Sequence, residues 1–181
     1  GYEADGIDLS DTAIAFARTK FNVHAVCGKI EELPASMGPY DAITLWATIE
    51  HLPDPLTTIS AIKKALKPGG FLFMDTGLGH DWLDRLLPGF VQWYDPPQHL
   101  FVFSKESLAI MLSKTGFQIE NMDTCFERSP ARRIARVLRG FVFAAGVRVI
   151  SELTRTKGSG PFRFTRFPVG NLVSIVARAG N

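Results

Sequence analysis

Cysteine is scarce in this chain. Cys27 and Cys125 are its only two; they lie far apart, and neither belongs to a CxxC or Cys/His cluster. That excludes a disulfide framework and a thiolate metal centre. The expectation is two reduced thiols in a cytoplasmic protein that holds no metal. Long apolar runs are missing too, since none approaches the roughly 20 residues that span a bilayer. The first residues, Gly1-Tyr2-Glu3-Ala4-Asp5, lack the basic-then-apolar pattern of a secretory leader. Internal repeats and low-complexity tracts are absent. What remains is 181 residues, 46% hydrophobic and 21% charged, which suits one globular domain with its own core.

The formal net charge is only +2, but it is unevenly placed. Residues 1–127 hold 9 Lys/Arg against 17 Asp/Glu, whereas residues 128–166 hold 10 Lys/Arg and the single acid Glu152. Such a segment either meets something anionic or is a solvated basic face.

Short apolar runs alternate with helical patterns through the first two-thirds of the chain. Ala4–Leu9 reads as a strand, and Ser10 caps a helix to about Lys20. Val23–Cys27 and Tyr40–Trp46 read as strands. Asp54-Pro55 opens a helix with Leu56, Ile59, Ile62 and Leu66 at helical spacing, and Lys67-Pro68-Gly69-Gly70 stops it before a strand at Phe71–Asp75. His80–His99 reads as a long loop region. Ser104 caps a helix bearing Leu108, Met111 and Leu112 that ends at Gly116, and strands follow at Phe117–Met122 and Asn171–Ala177. The pattern implies an α/β fold with a doubly wound, mainly parallel sheet covered on both faces. The domain divides into a core (1–127), a basic helical insertion or lid (128–170) and a final strand (171–177).

In such sheets, ligands bind outside the carboxyl ends of the strands. The loops to inspect are Asp8–Ser10, Gly28–Leu33, Trp46–Pro53, Asp75–Gly79 and 80–99. Asp8 stands at one such end, where a carboxylate can accept both hydrogen bonds of a ribose diol or cap the next helix.

Several motifs occur in a fixed order. They are Asp8-Leu9-Ser10, Gly28-Lys29-Ile30-Glu31-Glu32-Leu33-Pro34, the run Tyr40 to Pro55 (YDAITLWATIEHLPDP), Leu66-Lys67-Pro68-Gly69-Gly70-Phe71-Leu72, and Gln98 to Ser104 followed by Lys114-Thr115-Gly116-Phe117. In that order the chain resembles class I S-adenosylmethionine-dependent methyltransferases of the ubiquinone- and menaquinone-methylating branch, over about residues 1–127 and again at the last strand. The resemblance implies a Rossmann-like sheet and S-adenosylmethionine as cofactor. By that resemblance Asp8 binds the ribose, Leu9, Gly28, Lys29 and Ile30 surround the adenine, and Trp46, Ala47 and Thr48 line the methionine end.

Two departures stand out. The family's Gly-rich loop and first strand have no counterpart here. Gly1-Tyr2-Glu3 looks like the end of the helix after that loop, so the resemblance implies an N-terminally truncated chain. Lys29 also stands where the family carries an acid that bonds the adenine amino group, and lysine cannot accept a hydrogen bond.

Methyl transfer is an in-line attack on a sulfonium, so alignment and exclusion of water matter most. A hydroxyl nucleophile also needs a base that titrates near neutral pH, which points to His51 and His99, with Glu50 as a further candidate. Each histidine could equally bond loop backbone. Trp82, Trp93, Tyr94, Phe101 and Phe103 either wall an acceptor pocket or fill core. Arg132, Arg136 and Arg139 share one side of a helical pattern, while Ile134, Val137, Leu138 and Phe141 turn away. A basic amphipathic helix of this kind lies on an anionic membrane surface, covers a lipid-like acceptor, or packs with a solvated face. No nucleic-acid motif is present. The expected activity is methyl transfer to a small or lipophilic acceptor at oxygen or carbon. The rivals are a non-catalytic, membrane-associated relative and a nicotinamide-dependent dehydrogenase.

Overall fold

The first helix shows how local sequence sets the elements. Ser10 is extended, and its hydroxyl accepts the Ala13 N–H, satisfying one of the orphan donors of α1 (Asp11–Phe21). Asn22 closes the helix in a left-handed conformation (φ 53°), a role its short polar side chain tolerates. Asp54 caps α2 (Pro55–Ala65) in the same way, with Pro55 in the first turn, where a missing N–H costs nothing. Ser104 and Ser107 form a reciprocal capping box on α3 (Lys105–Lys114). The computed structural model describes residues 1–34, 37–79, 97–124, 135, 138, 139, 142 and 171–180.

Six strands are found among these residues: β1 (Asp5–Asp8), β2 (His24–Cys27), β3 (Tyr40–Trp46), β4 (Leu66–Leu78), β5 (Phe117–Thr124) and β6 (Asn171–Ala179). β1 and β2 pair in parallel, from Asp5 opposite His24 to Asp8 opposite Cys27. The other four form a second sheet in the order β3-β4-β6-β5. β3 and β4 are parallel, whereas β6 runs antiparallel to both of its neighbours. β1 and β3 each keep one edge unpaired among the described residues; the Tyr40 hydroxyl donates to the Asp5 carboxylate at 2.8 Å between the two sheets.

The Lys67–Gly70 stretch behaves differently from its expected role as a gap between helix and strand. β4 begins at Leu66, directly after α2, pairs there with Tyr40, and resumes with Phe71 opposite Ala42. The extra residues form a bulge. Gly69 has φ 74°, and a Cβ on Gly70 would lie 3.0 Å from the Lys67 carbonyl oxygen and 3.1 Å from that of Asp41, so neither site suits a side chain. Gly1–Ala4 carry no regular secondary structure.

One face of the β4–β6 pair in the larger sheet is buried. Leu72 and Met74 of β4 and Val173, Ile175 and Ala177 of β6 meet Ile59 and Ile62 of α2 and Leu108 and Leu112 of α3 in one apolar cluster. Each fully buried Ile or Leu there contributes roughly 1.5–3 kcal/mol relative to exposure. The expectation of cover on both faces is not met among the described residues. Phe71 and Phe73 are half-buried, Ala42, Thr44 and Trp46 of β3 are exposed, and Leu56, at helical spacing with the buried Ile59 and Ile62, is 47% exposed. No described helix is long and apolar enough to cross a membrane. Trp82, Trp93, Tyr94, His80 and most of 128–166 lie outside the described residues.

Candidate functional site

The carboxyl ends of β1 and β2 lie side by side because the strands are parallel and in register. The Gly28 N–H bonds the Asp8 carbonyl at 3.0 Å, extending the ladder one step past the strands, and Gly28 takes φ 153°, where a Cβ would meet nothing within 4 Å. Asp8 Oδ1 accepts the Ser10 N–H at 2.7 Å, which holds the carboxylate at the start of α1 while Ser10 serves as the cap. Leu9 is 66% exposed, Lys29 is exposed, and Ile30 opens a short 3-10 turn (Ile30–Glu32). Cys27 Sγ donates to the Leu9 carbonyl at 3.5 Å, and the neighbouring Asp11 holds its thiol above the usual cysteine range, so it is no thiolate nucleophile at neutral pH. A cavity of about 520 Å³ between this turn and α2 is lined by Ile30, Leu33, Met37, Leu56 and Lys64; of the residues expected at the cofactor, only Ile30 reaches it.

The segment after β3 is built more tightly. Trp46 is 56% exposed at the strand end. Ala47 turns the chain in a left-handed conformation (φ 44°), and its N–H donates to Asp75 Oδ1 at 2.6 Å. The Thr48 hydroxyl donates to the Trp46 carbonyl at 2.7 Å. A 3-10 turn (Ile49–His51) then drops Ile49 into the core and buries Glu50, which is 3% exposed. The wholly buried Thr76 donates from its hydroxyl to Glu50 Oε2 at 2.9 Å. A carboxylate so buried needs such a donor, because burying an unsatisfied charge is expensive.

Backbone bonds bring the distant loop to this turn. The Glu50 carbonyl accepts the N–H groups of Leu100 and Phe101 at 2.8 and 3.2 Å. Gly79 N–H bonds the Phe103 carbonyl at 2.9 Å, and Leu78 and Phe103 form an isolated parallel bridge, so the strand end anchors the same loop. His51 Nδ1 lies 2.7 Å from the Gln98 carbonyl oxygen, and the His51 and His99 ring centroids are 4.8 Å apart. A carbonyl only accepts, so Nδ1 is the donor of this bond, and in the neutral ring the lone pair is then on Nε2.

Glu50, His51 and His99 present ligand atoms that all lie within 4.8 Å of one another. The two histidines singled out from the sequence therefore do converge, and Glu50 joins them. Phe103 is buried in the core, whereas Phe101, stacked on it at 5.9 Å, is 38% exposed. Asp75, Thr76 and Gln98 were not read as site residues. Only their place at a strand end or in a loop on the ligand edge could have signalled them.

A family model described as a methyltransferase domain matches residues 1–121. The chain is 32% identical over 114 residues to the ubiquinone biosynthesis O-methyltransferase of Bordetella pertussis, an alignment that covers 52% of this chain and 46% of that protein. It thus spans about half the length of the curated relatives it matches. Among solved structures, a SAM-dependent methyltransferase from Methanosarcina mazei superposes with a TM-score of 0.60 at 16% identity, covering 97% of this chain and 81% of that one. The Burkholderia thailandensis 1,6-didemethyltoxoflavin-N1-methyltransferase, solved with bound 1,6-didemethyltoxoflavin and S-adenosylhomocysteine, superposes with a TM-score of 0.56 at 16% identity, covering 100% of this chain and 63% of that one. At such identities the likeness to solved structures is one of fold.

Proposed function

The chain belongs to the methyltransferase-domain family, and from that premise we propose that the complete protein moves a methyl group from S-adenosylmethionine to a small or lipophilic acceptor, at oxygen or carbon. The nicotinamide reading has no support in that family, and a non-catalytic role is disfavoured by the convergent histidine pair. The observation that carries the proposal is the His51 ring, its Nδ1 2.7 Å from the Gln98 carbonyl oxygen and its Nε2 left for another partner, beside His99 and the buried Glu50.

The nucleoside half of the cofactor fits what the β1 and β2 ends offer. Asp8 supplies a carboxylate for the ribose, Leu9 and Ile30 supply apolar surface for the adenine, and the side-chain-free backbone of Gly28 permits close approach. Lys29 offers the adenine only its backbone. For the methionine half, the described residues offer Trp46, Ala47 and Thr48. S-adenosylmethionine, when bound, supplies an electrophilic methyl group on a sulfonium. His51 takes the acceptor hydroxyl proton on Nε2 as the oxygen–methyl bond forms and the sulfur–methyl bond breaks, and the neighbouring Glu50 carboxylate favours the resulting imidazolium. A second reading rests on the spacing of Glu50, His51 and His99, which is close enough for one divalent cation to draw on all three. Loss of turnover on chelation, restored by added metal, would favour it.

The unpaired edges of β1 and β3 support a further strand between them in the complete protein, carrying a glycine-rich loop. The basic segment supports contact with a membrane surface that delivers a lipophilic acceptor. Its described residues Ala135, Leu138, Arg139 and Val142 are helical, with Leu138 60% and Val142 75% exposed.

The test is methyl transfer by the complete protein carrying His51→Ala. Turnover falls roughly 10²–10⁴-fold while cofactor affinity is held. Full turnover in both His51→Ala and His99→Ala removes the histidine base from the proposal.

A further inference from the structure

Two consecutive residues of β4 grip the segment that carries Glu50 and His51. Side chains alternate along a strand, so Asp75 and Thr76 leave β4 on opposite faces. Thr76 holds the Glu50 carboxylate from the buried face. Asp75 is half-buried and accepts the Ala47 N–H at 2.6 Å. Ala47 has φ 44°, a region in which a Cβ crowds the backbone, so an alanine stays there only when a specific contact holds it. The register puts Trp46 opposite Asp75, so the first N–H beyond the paired strand falls within reach of the carboxylate. A bond to an ionised acceptor is stronger than a neutral one, which suits a contact that must offset backbone strain.

We propose that Asp75 is a positioning residue of the methyltransferase site. It fixes the left-handed turn at Ala47, and through it the direction from which the Ile49–His51 turn presents His51 Nε2. Asp75 touches no reacting atom. It acts through the backbone, and the inference rests on the methyl-transfer reading only for its kinetic consequence.

The experiment uses the complete protein, with S-adenosylmethionine turnover and histidine nitrogen NMR measured on the same samples. Asp75→Ala lowers kcat roughly 10- to 100-fold, the scale of a misplaced catalytic group. Asp75→Asn keeps an acceptor oxygen and stays within about fivefold of the parent kcat. Adding Ala47→Gly to Asp75→Ala recovers most of the loss, because glycine enters the left-handed region without strain. The His51 signals lose their Nδ1-protonated pattern in Asp75→Ala and regain it in the double variant. Parent kcat in Asp75→Ala, an Asn variant as poor as Ala, or no recovery on adding Ala47→Gly each overturns the proposal. If the complete protein transfers no methyl group at all, the methyl-transfer reading fails by itself. The NMR arm then decides: His51 signals that Asp75→Ala leaves unchanged overturn the positioning role, and signals lost and restored sustain it. Melting temperatures of all variants separate a shifted turn from an unfolded chain, and the Asn variant keeps the test sharp should Ala not fold.

Discussion

Replacing Thr76 by Val isolates the contact that makes a buried carboxylate tolerable. Thr76 is 0% exposed and Glu50 is 3% exposed, and the Thr76 hydroxyl stands 2.9 Å from Glu50 Oε2. Valine keeps the shape and one methyl and swaps the hydroxyl for another methyl, so packing changes little. The carboxylate oxygen is left facing hydrocarbon with water excluded. Removing one hydrogen bond to a charged group costs about 1.5–3 kcal/mol, and the strand preference of valine returns only a few tenths. For a domain of this size that corresponds to a fall in Tm of roughly 3–12 °C. Urea denaturation followed by far-UV circular dichroism reads the free energy directly. The companion measurement places Thr76→Val in a Glu50→Gln background. There the lost bond is neutral and costs only about 0.5–1.5 kcal/mol. A loss below about 0.5 kcal/mol in the parent, or an equal loss in both backgrounds, would refute the claim that Thr76 stabilises the Glu50 charge.

Four other outcomes are expected. Burial, then the bond to Asp5, pushes the Tyr40 phenol up to about 12. Because the folded value lies above the ordinary 10.0, the stability from this contact is complete below pH 10 and is lost as pH rises through about 12; in Asp5→Asn the phenolate absorbance should titrate closer to 10.0. Asp5 itself is held below 3.8 by hydrogen bonds from His24 and Tyr40, so its contribution is present above 3.8 and fades as pH falls through the lowered value, which an acid-unfolding curve of Tyr40→Phe against the parent should show. Gly70→Ala puts a Cβ 3.0–3.2 Å from three backbone carbonyl oxygens, those of Lys67, Asp41 and Tyr40, and denaturation should register a loss of about 1–3 kcal/mol. The complete protein should co-sediment with anionic vesicles at low salt and release at high salt. Changing Arg132, Arg136 and Arg139 together to Gln should weaken it by up to about 1 kcal/mol per charge, and retention in the supernatant at low salt would refute membrane contact.

The sequence alone determined the local elements and their order. Ser10, Asp54 and Ser104 each satisfied an orphan helix N–H within three residues, so the starts of α1, α2 and α3 were readable one turn at a time. The parallel sense of β1–β2 and β3–β4 followed from helices that lie between them, and the ligand edge followed from that sense. Asp8, Gly28 and His51 could be nominated because each sits at the carboxyl end of a strand or in the loop that follows it. What tertiary structure decided is everything that depends on partners far along the chain. The antiparallel placement of β6 between β4 and β5 is a sheet-level choice that its own apolar run does not encode. The left-handed Ala47, an unfavourable backbone for that residue, donates its N–H to Asp75 from another strand, a partner that its own sequence neighbourhood does not supply. The tautomer of His51 is set by the carbonyl of Gln98, and the burial of Glu50 is made bearable by Thr76. Local propensity acts over a few residues, whereas a site is assembled by long-range hydrogen bonds that form only once the sheet brings its strand ends together.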